Sequence, residues 1–331
     1  MAARLDTPVL GVQDSYTGPN LWQVSMNYRY QYSHRHFVGS EEQTGRAEDR
    51  SQVKNNINLT EIGIRYNPRP RWSFSLNIPY FDATRSSPIR NSNRVVVDRS
   101  VVQASGLSDI TLSARRLLWK PLKHPDGNIA IGLGIKAPTG DDDVFDDRKR
   151  LVNGQASFTS ESVDQSIQPG DGGWGVIFDL QYFQRIGHSN GAFYASTTYL
   201  ANPRDTNGVP TFRGTRGEEV MSVADQYVAR VGGSYAGKSW KGFGMSLGGR
   251  LEGVPVEDLI GDSNGFRRPG YAISAEPGLS YTRGAYTFSL AVPYAIYRNR
   301  TRSVADRLVP GRHGDAAFAD YIILFGWGRK F

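Results

Sequence analysis

LWQVSMNYRYQY, residues 21–32, alternates without a fault. Trp22, Val24, Met26, Tyr28, Tyr30 and Tyr32 fall on one side, and Gln23, Ser25, Asn27, Arg29 and Gln31 on the other. A period of two belongs to a strand, because successive side chains of an extended chain point to opposite faces of its sheet. Soluble strands average about five to six residues, whereas crossing a bilayer takes about nine to eleven. This run is long enough to cross.

The signature recurs along the chain. RWSFSLNIPY (71–80) sets Trp72, Phe74, Leu76, Ile78 and Tyr80 against Ser73, Ser75, Asn77 and Pro79. GWGVIFDLQYF (173–183) sets Trp174, Val176, Phe178, Leu180 and Tyr182 against Gly175, Ile177, Asp179 and Gln181. AYTFSLAVPYAI (285–296) and the terminal YIILFGWGRKF (321–331) repeat the pattern, with Tyr321, Ile323, Phe325 and Trp327 on one face of the latter. Aromatic residues stand at the ends of the apolar faces, where the two interfacial girdles of a membrane barrel place them. Segments 56–66, 107–118, 129–138, 192–201, 224–235, 243–253 and 270–281 follow the code less sharply, bringing the count to about twelve strands. In GAFYASTTYLA (191–201) the adjacent Phe193 and Tyr194 leave the facing open. An even number is expected of a single-chain barrel.

Composition agrees once alternation is allowed for. The mean hydropathy is −0.46, as expected when only every second residue meets lipid, and no apolar run approaches the eighteen or so residues of a transmembrane helix. The 331 residues carry a net charge of +7 without a basic block, which argues against nucleic-acid binding. Cysteine is absent, excluding disulfides, thiol nucleophiles and cysteine metal sites. MAARLDTPVL lacks the basic and apolar regions of a signal peptide, which suits numbering from a mature terminus with an added Met. Residues 1–20 read as a periplasmic or lumenal segment, and residues 21–331 as the barrel.

Connections alternate in length. NPRPR (67–71), KPLKHPDG (120–127), GHSN (187–190), AGKSWK (236–241) and TRGA (282–285) are short and rich in turn residues, while long polar stretches lie near 33–54, 82–106, 139–172, 202–222, 254–269 and 298–315. Short turns on one side and long loops on the other is the plan of an antiparallel up-and-down barrel in the bacterial outer membrane, both termini in the periplasm. An open edge cannot stand in hydrocarbon, so the terminal strand must pair with residues 21–32. Pro79, Pro138 and Pro293, near the loop ends of strands, are expected to mark bulges or the end of pairing.

GLSDITLSARRLL (106–118) followed by LGIKAPTGD (133–141) resembles the meta-pathway phenol-degradation proteins of the outer membrane, also labelled transporters; GDGGWGVIFDLQYF (170–183) is compatible. The resemblance covers about a fifth of the chain. It implies an envelope β-barrel associated with uptake of small, often aromatic, molecules; its motifs look architectural and assign no binding residues. The terminal strand ending in Phe331 likewise resembles the C-terminal strand by which such barrels are recognised for insertion.

If the aromatic faces meet lipid, the charges facing the lumen are Arg29, Glu61, Arg65, Asp109, Arg115, Lys136, Asp179, Arg185, Arg230, Arg250, Glu252, Glu276 and Lys330. Basic groups exceed acidic ones, so one reading is a water-filled pore with mild anion preference. The other is that these charges pair and fill the interior, as in small barrels; Arg250 and Glu252 read as a local ion pair. GDDDVFDD (140–147) gathers Asp141, Asp142, Asp143, Asp146 and Asp147. It reads as a solvated acidic loop balanced by Arg148, Lys149 and Arg150 or as a calcium site, although it lacks the EF-hand spacing. In IGHSNGAF, His188 and Ser189 are adjacent and would point apart, unlike the His-x-Ser-Asn-Gly of outer-membrane phospholipase A, so the segment reads as a turn. His34 and His36 lack a third ligand at fixed spacing, and His124 and His313 are scattered. SNGFRRPGY (263–271) can fold into the mouth against an anionic or aromatic ligand, or serve as a rigid turn.

The expected function is passive passage of small solutes, aromatic or anionic ones among them, through a porin-like channel of a Gram-negative envelope, with neither enzymatic activity nor cofactor nor metal. Expected partners are outer-membrane lipid, lipopolysaccharide and the solutes, with no nucleic acid. The alternative is a scaffold barrel holding a lipoprotein, cytochrome or surface assembly through its extracellular loops or periplasmic face.

Overall fold

The computed structural model describes residues 21–187, 189–237 and 241–331. The first strands are β1 (Leu21–Val38), the short β2 (Glu41–Glu42), β3 (Lys54–Arg69), β4 (Trp72–Arg90), β5 (Val96–Leu107), β6 (Thr111–Leu117) and β7 (Gly127–Lys136). A loop hairpin follows, β8 (Phe145–Val152) and β9 (Gln155–Ser162), then β10 (Gly175–Arg185) and β11 (Gly191–Ala201). A second loop pair, β12 (Thr206–Pro210) and β13 (Val220–Ser222), precedes β14 (Gln226–Ala236), β15 (Phe243–Val254) and β16 (Gly270–Arg283). The chain closes with β17 (Tyr286–Ala291), β18 (Tyr294–Asn299) and β19 (Ala316–Lys330).

Twelve antiparallel staves form a closed barrel, β5 with β6 and β17 with β18 each making one stave in two parts. Closure runs through β1 and β19, with Gln23 opposite Lys330 and Arg29 opposite Leu324. The Phe331 amide donates to the Trp22 carbonyl at 2.8 Å, so the last hydrogen bonds of the edge are used. The apolar faces point outward: Trp22, Ile62, Leu112, Leu133, Trp174 and Leu247 are all exposed on the outside.

Aromatic side chains pair across strands at the two ends of this band. Trp22 stacks on Tyr66 at 4.5 Å and Phe243 meets Tyr281 at a tilt at 4.4 Å on the side of the short turns, and Tyr271 meets Tyr297 at 5.9 Å on the other. Such cross-strand pairs stabilise the sheet and place amphipathic rings at the level of the headgroups. Phe193 lies outside against Tyr182, whereas Tyr194 faces inward and its hydroxyl lies 2.6 Å from where a Cβ on Gly232 or Gly248 would sit. Two facing glycines thus make room for one phenol.

Part of the expected loop region is strand. Residues 82–90 and 96–107, expected within a long loop, continue the wall as the β4–β5 hairpin, with Asp82 opposite Ser105 and Ile89 opposite Asp98. The outer face of β4 there carries Asp82, Thr84 and Ser86, and that of β5 mixes Val97 and Val101 with Arg99 and Gln103, so no continuous greasy face announced it. Pro79 sits where the partner of β4 passes from β5 to β6, and Pro293 at the break between β17 and β18. Pro138 follows the end of β7. All three occupy positions where a ladder donor is dispensable.

The inward faces of β3, with Ile57 and Leu59, and of the extended hairpin, with Phe81, Ala83 and Ala104, form an apolar core with Val163 and Ile167 of the longest loop. That loop therefore folds back over the mouth instead of standing in solvent. Gln168 fastens it, donating from Nε2 to the Val144 and Val163 carbonyls and accepting from the Val144 amide at 3.0 Å.

Candidate functional site

At the outer rim the three motif segments meet. Asp109 accepts from the Gly140 amide at 3.1 Å and from the Asp171 amide at 3.3 Å, and the Lys136 ammonium bonds both Asp109 and Asp171. Thr139 Oγ1 accepts from the Ile110 amide at 2.9 Å and donates to the Ser108 carbonyl. A Cβ on Gly140 would fall 2.9 Å from Ser108 Cα and 3.0 Å from Gly170 Cα. Glycine is required because two backbones cross in contact. Asp109 and Lys136 belong to this knot; their charges fasten loops.

Below the rim the lumen divides into two halves. On one side Arg29, Glu252, Arg250, Glu276 and Arg230 form a chain of alternating charge. Arg29 bonds Glu252 at 2.9 Å, Arg250 Nε bonds the other Glu252 oxygen at 2.7 Å, and Arg230 Nε bonds Glu276 at 2.8 Å. Arg29 reaches Glu252 from β1 to β15, across the inward faces of β16 to β19. All five are buried or nearly so, with Arg250 1% and Glu276 2% exposed. Charges taken from water must be paired and hydrogen-bonded, and here each carboxylate serves two guanidiniums.

The other half is open. A cavity of about 450 Å³ runs along β3, β4, β6, β7, β10 and β11, past Glu61, Arg65, Ser75, Asn77, Ser113 and Arg115. Arg115 Nε bonds Asp179 at 2.7 Å, and Thr198 donates to the second Asp179 oxygen at 3.2 Å. Asn27 donates to Glu61 at 3.2 Å, and Arg65 reaches Ser75 at 3.4 Å. Arg185 lies at the short-turn end of β10, its side chain 60% exposed and 3.9 Å from Asp126. Lys330 ends β19 beside Gln23 at the same mouth. Of the expected lining, Glu61, Arg65, Arg115 and Asp179 border the cavity directly, together with Asp109 and Lys136 at its outer end.

The cavity continues upward to a cap of loop residues. Asp164 opens the short 3₁₀ turn Gln165–Ile167, accepting from the Ser166 amide at 3.1 Å. It also binds Arg213 at 2.9 Å and Arg85 at 3.2 Å. Burial alone would raise the Asp164 carboxyl, but the guanidiniums of Arg85, Arg213 and Arg268 hold it far below the usual carboxylate range. Asp315 is held low in the same way: burial opposes, but the hydrogen bond from His36 and the charge of Arg46 prevail.

In the segment SNGFRRPGY the two arginines separate. Arg267, fully buried, is bound by Asp258 and Ser222 and serves structure. Both border the cavity, but Arg268 keeps its side chain 22% exposed. Phe266 is fixed by backbone hydrogen bonds to β13, its amide donating to the Val220 carbonyl at 2.7 Å.

The acidic loop does not balance itself as expected. Arg148 and Arg150 pair with Glu161, and Lys149 with Asp98. Asp146 accepts from the Gln103 amide at 2.7 Å. Among the described residues no group of three His, Asp or Glu is placed to hold a metal ion. His34 lies 3.9 Å from Asp320, while His36 bonds Asp315 at 2.5 Å, so the two histidines have separate partners. His124 lies beside Trp119, and His313 bonds the Arg300 carbonyl at 2.6 Å. His188 and residues 1–20 lie outside the described residues; Ser189 caps its own turn through the Gly191 amide.

Sequence reasoning passed over Arg85, on the polar upper part of β4, and Asp164, Phe212 and Arg213, which lie on polar stretches without periodicity. One signal was present, the Phe-Arg pair repeated at 212–213 and 266–267.

No family model matches the chain, and no curated protein matches it. Solved structures do. The COG4313 outer membrane channel from Pseudomonas putida F1 superposes with a TM-score of 0.62 at 11% identity, covering 97% of this chain and 100% of that one. The toluene transporter TodX of P. putida gives 0.44 at 10% identity, covering 95% of this chain and 91% of that one. The beta domain of the Bordetella autotransporter BrkA gives 0.46 at 12% identity, covering 95% and 100%. The first likeness establishes the fold: a twelve-stranded barrel of the outer-membrane type.

Proposed function

We propose that the protein is an outer-membrane channel for passive passage of small solutes, aromatic or anionic ones among them. The observation that carries this reading is the division of the lumen. One half is braced by buried ion pairs, which leaves a polar cavity along the other from the cap into the membrane level. The resemblance of GLSD and APTGD to the meta-pathway phenol-degradation proteins supports the same reading, as does the fold shared with the COG4313 outer membrane channel.

Planar-bilayer recording tests it. Discrete conductance steps are expected from the refolded chain, or from the chain lacking residues 1–20 if that segment enters the lumen. Silence from both would sink the open-pore form. A scaffold role has one observation in its favour: the β8–β9 hairpin exposes Phe145, Val152 and Phe158. A stoichiometric companion on isolation from native membranes would support it.

A further inference from the structure

Above the cavity the guanidiniums and rings of three loops form one stack. Arg148 lies 4.2 Å and Arg213 5.0 Å from the Phe212 ring, and Arg213 lies 3.9 Å and Arg268 4.5 Å from the Phe266 ring. The order is Arg148, Phe212, Arg213, Phe266, Arg268, and every member borders the cavity. Stacking on a ring fixes a guanidinium without neutralising it.

Neutralisation is incomplete. Among the described residues, Asp164 serves Arg85 and Arg213, Glu161 serves Arg148 and Arg150, and Glu218 serves Arg268 and Arg312. Arg300 and Asp306 form a pair of their own beside them, with Arg312 also near Asp306. Guanidiniums therefore outnumber carboxylates in a region largely withdrawn from water. Arg213 Nε is a buried donor without a hydrogen-bond partner. Burial chiefly, and then the neighbouring charges of Arg213 and Arg300, bring the Arg268 guanidinium down to about 10.

We propose that Arg213 and Arg268, with Arg85 behind them, form a binding station for the carboxylate of a small aromatic acid whose ring occupies the cavity. A planar carboxylate matches the fork of a guanidinium. Among the described residues the terminal guanidiniums of the stack, Arg148 and Arg268, each carry one ring, so a ligand ring can extend the alternation. The cavity below is of the size that takes small organic ligands, about 300 to 1,000 Å³, and Leu59, Pro79, Ile177 and Leu200 supply apolar lining beside the polar groups. The channel reading is used only for the route by which the acid arrives.

Isothermal titration calorimetry on the full, detergent-solubilised chain at low ionic strength tests the station, with sodium benzoate as the probe and benzyl alcohol and sodium acetate as controls. Saturable benzoate binding is expected, at least about tenfold tighter than either control, because charge-assisted bonds and ring burial each contribute. R268Q, which removes one long bond to Glu218 and the stack on Phe266, is expected to weaken benzoate about tenfold and benzyl alcohol much less; R213Q should do the same and serves as a second variant. Equal affinity for benzoate and acetate, or for benzoate and benzyl alcohol, would overturn the proposal, as would wild-type affinity in a folded R268Q. The measurement needs no conductance, so binding without current would refute the channel and spare the station, whereas current without binding would do the reverse.

Discussion

Glu252 gives one oxygen to Arg29 and the other to Arg250, in a part of the lumen where neither arginine has water to turn to. Removing its charge takes from Arg29 and Arg250 the carboxylate they share, and breaking a buried pair costs about 3 to 5 kcal/mol. Glu252→Gln is therefore expected to lower the urea midpoint of the barrel in lipid vesicles by several kilocalories' worth. The double change Arg29→Met with Glu252→Met should cost less, since both charges leave together and Arg250 keeps Glu276. A single variant as stable as the wild type would mean that the chain of charges does not brace the barrel. The inward facing of these residues was legible from the alternation around Tyr28 and Leu251, because strand geometry decides it locally. Their partnership was not: Arg29 and Glu252 lie 223 positions apart, and only barrel closure brings them together. Tyr194 shows the same limit from the other side, since its choice of face depends on Gly232 and Gly248 in neighbouring strands.

At the scale of elements, the cap is built from loops that carry no periodicity, held by capping carboxylates and buried arginines. Asp164 is one of these, joining the 3₁₀ turn to β4 and to the loop of Arg213. Its folded pKa is depressed, so the stability it contributes is fully present above the unfolded carboxylate value of about 3.9 and lost as pH falls through the lower folded value. Exchange at the Ser166 amide, corrected for intrinsic rate, is expected to stay protected from neutral pH down to about 4 and to open only below it. In Asp164→Asn it should be faster throughout and lose this acid limb. Opening of the wild-type cap already at pH 6 would contradict the assignment. The membrane staves were legible because lipid demands an uninterrupted apolar face, whereas the β4–β5 hairpin rises beyond lipid and reads as polar sequence. The motif segments 106–109, 136–141 and 170–171 were visible as motifs, but their meaning, a knot of two crossing glycine backbones under Asp109, needed the fold.

For the whole molecule, one rule links the outside to the inside: each stave shows lipid and lumen in alternate residues, so neighbours in sequence live in different solvents. Leu112 and Ser113 on β6 make the sharpest test. Leu112 is half exposed on the outer face, opposite Leu76, whereas Ser113 faces the cavity opposite Ser75 and Gly134. Tryptophan suits a lipid-facing position, and at position 112 it should leave both folding and conductance close to wild type. At position 113 the same side chain enters a cavity of about 450 Å³ and takes up part of it. Ser113→Trp should therefore fold, since open space receives the ring, and its unit conductance should fall to less than about half. The two variants differ by one position and share one substitution, so protein yield, refolding and insertion serve as internal controls. Equal conductance would place the solute path elsewhere than the β6–β7–β10 half of the lumen. Loss of conductance in Leu112→Trp alone would reverse the assignment of faces, and with it the partition of the barrel into a braced half and an open one.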